Sequence, residues 1–527
     1  MPPVWIPLPL ATFPLHQKRP VRLLINLEST SNTINFWKEI ARKELEDALR
    51  VEWNLGTARN VILFIGDGMG PNTVTAARIH KGGETSHLNF ETLPHMGLLK
   101  VIKKKLGKKC IFTFIFTATA LFTGVKVNQE TIGVDASVRK DNCTRSLNVD
   151  ARLPSLGDLA AQAGKSSGIV TTMRVTHATP SPWYAHSANR RWECESAMPD
   201  DVTCKDIARQ LIEDFPGKDL KVILGGGRQT LMTNVTTTPT DPLDTWSCRR
   251  KDGRDLINEY RLDKLRRGLK HSVVKNNEEL KKLNFDDTDY LLGLFANSHL
   301  QLEHERDKSP TGMPSLSDMT EAAIKVLRKN KKGYFLMVEG GNIDMAHHRG
   351  KAKRAISETL AFDEAVSVAM EMTSDRDTLL IVTSDHGHTL TINGYPLRGS
   401  NIFGIAQASP FDGINYTTLS YGTGGPNALQ YHVDNEEVVR DDPSLVDTDS
   451  YEYEQIAAIA LDENAHGGGD VTIYARGPYS HLFHSVHEQN YVFEAISYAA
   501  KVGAYSSGAI IKCTYILLVI CIIITRL

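Results

Sequence analysis

The residues from Gly333 to Met337 form an apolar run, which gives way at once to Val338-Glu339-Gly340-Gly341-Asn342-Ile343-Asp344-Met345-Ala346-His347-His348. A strand that is apolar on both faces belongs inside a parallel sheet covered by helices; a sheet with one face in water would alternate. Open sheets of that class place ligands at the carboxyl ends of their strands, and the carboxylates and imidazoles stand there. If the chain turns helical after Gly341, Asp344 and His348 lie four residues apart on one helix face and can grip one ion. Taken alone, such a strand end is as readily a surface loop as a metal site.

Three more segments follow the same plan. Val61-Ile62-Leu63-Phe64-Ile65 runs into Gly66-Asp67-Gly68-Met69-Gly70, and Leu379-Leu380-Ile381-Val382-Thr383-Ser384 runs into Asp385-His386-Gly387-His388. Glu463-Asn464-Ala465-His466-Gly467-Gly468-Gly469-Asp470 precedes the strand-like Val471-Thr472-Ile473-Tyr474. Asp-Gly is ordinary turn chemistry and a lone histidine usually packs or solvates, but glycine also lets backbone approach a bound ion. The repetition favours a site. Aspartate and histidine without cysteine argue against a thiolate structural zinc site and suit a catalytic one with an open position. An oxygen-rich subset, Asp67 with Glu339 and a hydroxyl, suits magnesium. Two zinc ions with a harder third ion behind them form a clamp for phosphoryl transfer.

These motifs, in this order, resemble an animal alkaline phosphatase from about Phe36 to Ala500. The resemblance implies that Asp67 bridges one zinc and the magnesium, and that Glu339 and the Thr179 hydroxyl of His177-Ala178-Thr179-Pro180 hold the magnesium. It implies Asp344, His348 and His466 on one zinc, and Asp385 and His386 on the other, completed by Asp67. His177 and His347 would stand behind the ligands. Arg190, in Ala188-Asn189-Arg190-Arg191-Trp192, matches the arginine that clamps phosphate, where a planar fork engages two oxygens at once. By itself that Arg-Arg pair reads as solvated surface.

One departure outweighs the matches. The family carries Asp-Ser-Ala just before Thr-Ala-Thr-Ala, and its serine attacks phosphorus to give a phosphoserine. Here Thr117-Ala118-Thr119-Ala120 is in place, but Thr113-Phe114-Ile115-Phe116 precedes it, so Phe114 takes the nucleophile's position. A phenyl ring can neither attack nor ligate. Residues 101–116 pass from lysine-rich to apolar without amphipathic period and are foreign to the pattern. They are either translated intron or a mis-assigned exon, or the mark of an inactive paralogue that keeps metals and binds phosphate esters. A sulfatase or phosphodiesterase of the same superfamily is a third reading, disfavoured by Arg190 and by the magnesium set around Glu339. Met345 stands where relatives carry histidine. Calcium is not claimed: Leu294-Phe295-Ala296 has alanine where the family's calcium site has a carboxylate, and Asp241-Pro242-Leu243-Asp244 lacks the glutamate looked for.

The 527 residues suffice for one large domain, 41% of them are hydrophobic, and a formal net charge of −2 gives no case for a nucleic-acid partner. Strand-like runs separated by helical segments predict an α/β fold: a three-layer α/β/α sandwich around a large, mostly parallel sheet, with a small insertion subdomain. The expected division is an atypical segment 1–32, a catalytic domain 33–500 containing the foreign segment 101–116 and an insertion at about 394–460, and a tail 501–527. Phe36 to Val51 reads as an amphipathic helix, which in the family packs across a dimer interface and by periodicity alone packs equally well on its own core. The insertion resembles a second contact of that homodimer. Gly225-Gly226-Gly227-Arg228 reads as a structural turn.

Of seven cysteines, Cys143 and Cys204 match a family disulfide, and Cys194 with Cys248 is a plausible second pair. Sequons at Asn142, Asn234 and Asn415 fit a secretory route. The apolar run Tyr515 to Ile524 is short of the ~20 residues that span a bilayer. Preceded by Ser506-Ser507-Gly508-Ala509, it resembles a lipid-anchor signal, with a buried terminal strand as the alternative. Met1 to Arg22 makes a poor signal peptide. The expectation is a cell-surface, lipid-anchored homodimer acting on small phosphate monoesters with two Zn2+ and one Mg2+.

Overall fold

A computed structural model describes residues 34–101 and 117–506. They fall into two compact units divided between Glu52 and Trp53. In the first, residues Ile34–Leu49 form one helix, as the periodicity of Trp37, Ile40, Leu45 and Leu49 predicts, and no residue of it is buried.

The second unit is built on a ten-stranded sheet. From one edge to the other its strands are Ser485–Glu488, His95–Lys100, Val471–Arg476, Thr378–Thr383, Asn60–Gly66, Tyr334–Gly340, Ser166–Arg174, Val222–Gly226, Tyr290–Leu294 and His271–Val274. Val471–Arg476 runs antiparallel to both its neighbours, and every other pairing is parallel. Asn60–Gly66, Tyr334–Gly340 and Thr378–Thr383 are buried along their whole length.

Alternation along these strands divides the core in two. Ile62, Phe64, Leu336, Val338, Leu380 and Val382 face one apolar cluster. Val61, Leu63, Ile65, Phe335, Met337, Leu379 and Ile381 face the other. Helices Leu316–Leu327 and Ala352–Met372 supply the first layer through residues such as Ile324 and Phe362. Helices Leu156–Gln162, Ile207–Glu213 and Tyr491–Ala500 supply the second. Each strand leucine or isoleucine removed from water contributes about 1.5–3 kcal/mol. Helix Leu316–Leu327 starts where it does because Ser315 and Asp318 satisfy each other's backbone N–H groups in a capping box. The three-layer α/β/α reading therefore holds.

Within residues 394–460, small separate sheets replace the large one: the hairpins Ile405–Ala408 with Asn415–Thr417 and Tyr431–Asp434 with Glu437–Arg440, and strand Leu419–Gly424 beside Ala457–Ala460. Of the Gly225-Gly226-Gly227 run, the first two residues end strand Val222–Gly226 and only Gly227 makes the turn expected of the run. A Cβ on Gly226 would stand 1.9 Å from the Ser298 carbonyl oxygen, and Gly227 has φ +103°. Cys143 is bonded to Cys204, and Cys194 to Cys248.

Candidate metal centre

Parallel register carries the predicted carboxylates to one edge of the sheet. Ile65 lies beside both Glu339 and Thr383, and Thr171 beside Glu339 on its other side. The residues that follow, Asp67 after one strand and Asp385 with His386 after another, therefore emerge next to Glu339. The antiparallel strand brings the last histidine. Because Val471–Arg476 enters the sheet at the edge where its antiparallel neighbour Thr378–Thr383 leaves it, His466 arrives there as well. Short strand pairing of His466 with His388 fixes it. The helix expected after Gly341 is present as Asn342–His348.

The side chains converge. His348 Nε2 is 3.2 Å from Asp344 Oδ2, and His466 Nε2 is 3.4 Å from Asp344 Oδ1. His348 Nε2 and His466 Nε2 face each other at 2.9 Å. His386 Nε2 lies 3.4 Å from Asp67 Oδ1 and 3.3 Å from Asp385 Oδ2, with its ring stacked 3.7 Å from that of His466. Two overlapping sets of donors result, Asp344 with His386, His388 and His466, and Asp67 with Asp385 and His386. Beside them the Thr171 hydroxyl donates to Glu339 Oε2, and the hydroxyl of buried Thr179 also reaches the Glu339 carboxylate. Gly68 makes the approach possible. With φ +71° it turns the chain sharply, and a Cβ there would stand 2.8 Å from the His388 ring and 3.0 Å from Asp344 Oδ1.

Charge in this pocket is unbalanced. Asp67, Glu339, Asp344 and Asp385 are all buried, and among the described residues no lysine or arginine forms an ion pair with any of them. Burial raises the Asp67 carboxyl far above the usual range, reinforced by Asp385, Asp344 and Glu339. Burial likewise pushes Glu339 up to about 7, against the Thr171 and Thr179 hydroxyls and with Asp385 and Asp344 adding to the rise. Burial acts upward on Asp344 too, but His348, His388 and His466 outweigh it and hold that carboxyl well below its ordinary value. The buried oxygens Asp67 Oδ1 and Glu339 Oε1 accept no hydrogen bond. Clustered, desolvated carboxylates with open lone pairs fit cations: the nitrogen-and-oxygen sets suit transition ions and the all-oxygen set around Glu339 a hard one.

Other predicted residues take up supporting places. His347 accepts or donates at both ring nitrogens, to Thr73 Oγ1 at 3.0 Å and Tyr421 Oη at 2.7 Å, and stacks on His388. His177 packs edge-on against His299 at 5.3 Å, and its Nδ1 is buried without a hydrogen-bond partner. Burial, with the charges of Arg174 and Arg190, holds His177 well below its ordinary pKa, so the Arg190 guanidinium stands within electrostatic reach. Among the described residues Arg190 forms no ion pair. Thr117 Oγ1 donates to Asp385 Oδ2 at 3.2 Å, so helix Thr117–Thr123 begins at the site. Phe114 lies outside the described residues. Asp241 pairs with Arg228 and Asp244 with Arg174.

The sequence reading passed over Thr171, whose hydroxyl donates to Glu339, and His388. His388 Nε2 is 2.6 Å from Asp344 Oδ1, and its Nδ1 is 2.5 Å from Asn464 Oδ1. Its signal was the period of two in Asp385-His386-Gly387-His388, which sends both imidazoles to one side.

A family model for alkaline phosphatase matches residues 58–502. The tissue-nonspecific isozyme of Gallus gallus is 43% identical over 480 residues, 89% of each chain. The Homo sapiens isozyme is 42% identical over 482 residues, again 89% of each. The alkaline phosphatase of Gadus morhua is 44% identical over 481 residues, 89% of this chain and 97% of its own. Among solved structures, alkaline phosphatase from the Antarctic bacterium TAB5 superposes with a TM-score of 0.57 at 22% identity, covering 85% of this chain and 99% of that one. The Thermus thermophilus enzyme gives 0.57 at 23%, covering 87% and 94%. These two likenesses establish the fold. Taken with the family match over most of its length, they leave one assignment: the chain belongs to the alkaline phosphatase family of phosphoric monoester hydrolases.

Proposed function

We propose that the site is built for phosphate monoesters and holds two Zn2+ and one Mg2+. The observation that supports this most strongly is the pair of donor sets sharing His386, flanked by a hydroxyl-and-carboxylate set at Glu339, Thr171 and Thr179. Asp344, His348 and His466 would hold one zinc, Asp67, Asp385 and His386 the other, and Asp67, Glu339 and Thr179 the magnesium. When bound, these ions supply positive charge against the developing charge of phosphoryl transfer. The chain's own residues do the rest. Arg190, which forms no ion pair among the described residues, offers its fork to two phosphate oxygens. His388 and Asn464 orient Asp344, and Thr117 orients Asp385.

Phe114 separates the site from the reaction. As written, this sequence forms no phosphoserine and hydrolyses a monoester far more slowly than a serine-bearing relative. The environment of a nucleophile is otherwise retained, which favours an active native enzyme whose residues 101–116 are mis-assigned. The test is a transcript-derived sequence across the junction before Thr117. Asp-Ser-Ala is expected there. Phe114 in the transcript overturns the active-enzyme account and leaves an inactive zinc- and phosphate-binding surface paralogue.

The homodimer and the surface anchor belong to the same proposal. Trp37, Leu45 and Leu49 on the first helix are exposed, as are Tyr395 and Phe411 within residues 394–460, as a contact between copies requires. The proposed anchor signal lies outside the described residues, among which no helix is long and apolar enough to cross a membrane.

A further inference from the structure

We propose that the outer face of helix Leu256–Arg266 docks on an anionic membrane surface, a proposal that rests on the reading of the C-terminal tail as a lipid anchor. The helix packs inward through Leu256, Tyr260 and Lys264, all buried. Asn258, Arg261, Leu262, Leu265 and Arg266 share the opposite face at helical spacing, and all five are exposed. The two leucines are 47% and 64% exposed. A single leucine in water is ordinary. Two on one face, flanked by arginines, is the pattern of a helix lying in a lipid interface, with apolar side chains inserted and cations at the headgroups.

The positive charge on this face is not spent within the molecule. Between positions 256 and 270 the chain carries Arg261, Lys264, Arg266, Arg267 and Lys270 against Glu259 and Asp263, in a protein whose formal net charge is −2. Glu259 pairs with Arg254, and Asp263 with Lys264 and Arg267, so both acids are already neutralised. Arg266 gives its Nε–H to the Leu262 carbonyl at 3.3 Å, and among the described residues neither Arg261 nor Arg266 forms an ion pair. An apolar ring stands nearby. The segment 213–219 is tied to the two flanks of the helix, by Arg254 with Glu213 at one end and Arg267 with Asp219 at the other. Between these ties Phe215 is 47% exposed.

The last described residues lie in the same helical layer. Leu256 and Tyr260 face the apolar cluster that also holds Leu159 and Val502, and Gly503 closely approaches Leu159. Helix Tyr491–Ala500 lies against strand Asn60–Gly66, and helix Leu256–Arg266 against His271–Val274. Those strands stand five places apart in the sheet, roughly 24 Å. Residues 507–514 separate Ser506 from the apolar run that starts at Tyr515, and a stretch of that length spans at most roughly 29 Å. A tail held in a bilayer and this face resting on its surface are therefore compatible in reach. The anchor also raises the effective concentration of lipid at a face whose own attraction is modest.

The test is co-sedimentation of the full chain with vesicles of phosphatidylcholine alone and of phosphatidylcholine mixed with phosphatidylserine. Neutral vesicles report the tail, and the gain on adding phosphatidylserine reports the helix face. That gain is expected to fade at high salt. It should fall by about 25-fold in the double variant Arg261→Gln with Arg266→Gln, since each basic residue at such a surface strengthens binding about fivefold. Both positions are exposed, so the variant should fold, and its binding to neutral vesicles should not change. Lys308→Gln with Lys325→Gln removes the same charge from the other side of the sheet and should keep the gain. A chain that ignores neutral vesicles yet keeps the arginine-dependent gain loses the anchor reading and retains this one. No gain in the wild type, a gain undiminished by the arginine variant, or equal loss in both double variants overturns the proposal. Capture of heparin fragments by the same arginines, without any preference for anionic vesicles, overturns it as well.

Discussion

Replacing Glu193 by glutamine tests how much of this fold rests on one buried ion pair. Arg174 sits at the end of strand Ser166–Arg174, three residues before His177, and its guanidinium grips Glu193 at 2.9 and 2.8 Å in a fork. Both side chains are nearly sealed, at 7% and 8% exposure. Taking one charge from such a pair leaves the other desolvated and uncompensated, which costs about 3–5 kcal/mol. The lower end applies. Asp244 lies 3.3 Å from the same guanidinium, although His299, held neutral by burial and by Arg174, supplies no charge. Unfolding entropy of about 2.1 cal/mol/K per residue over roughly 450 residues gives roughly 0.9 kcal/mol/K, so the melting temperature should fall by about 3 °C. The exposed pair Lys325–Glu321, at 33% and 46%, is the internal control. Glu321→Gln should cost about 0.3–0.5 kcal/mol, a shift of about half a degree. Scanning calorimetry at one fixed scan rate compares the two, since a chain this large unfolds with a rate component. A Glu193→Gln shift no larger than that of Glu321→Gln refutes the reasoning.

Asp344→Asn removes the carboxylate that His348, His388 and His466 all approach. Elemental analysis should show the loss of about one transition ion per chain, and full metal content in the variant contradicts the assignment. Glu339 rises to about 7 in the folded chain; below that pH it is protonated, so a hard cation must displace a proton. Magnesium affinity should therefore fall by up to about tenfold per unit as pH drops below 7 and flatten above it, and a pH-independent affinity between 6 and 8 rules this out. Replacing Cys143 and Cys204 by serine opens a loop of sequence separation 61. That should remove about 4 kcal/mol, or about 4–5 °C by calorimetry, and an unchanged transition would show the bridge to be idle.

Much of the framework could be read directly from the chain. Runs such as Val61–Ile65 and Leu379–Thr383 are apolar at every position, and a strand buried on both faces can be written in no other way. The helical step from Asp344 to His348 was equally legible, because helix geometry is local. What could not be read were relations across the fold. His388 drew no role from the sequence, and its partner Asp344, 2.6 Å away, comes from a different strand end. Nothing local marks Arg174 and Glu193 as partners; the disulfide beside them, Cys194 with Cys248, was open to reading only as a pairing of leftover cysteines. His466 owes its place to one antiparallel strand in an otherwise parallel sheet, and that strand is buried like the parallel ones at the centre of the sheet, so burial pattern does not set it apart.

The two halves of the functional question separate on physical grounds. Four carboxylates are buried together in the candidate metal centre without a paired lysine or arginine among the described residues. Burial first, and repulsion within the cluster after it, raises the pKa values of Asp67, Asp385 and Glu339 unless cations enter. None of those residues depends on the identity of residue 114. The sequence as it stands therefore specifies cation seats whether or not it specifies a nucleophile, and metal content and turnover report on different parts of the molecule. A chain that binds its ions fully yet fails to form a phosphoenzyme would place the defect in the segment before Thr117. A chain that fails to bind them would refute the site itself.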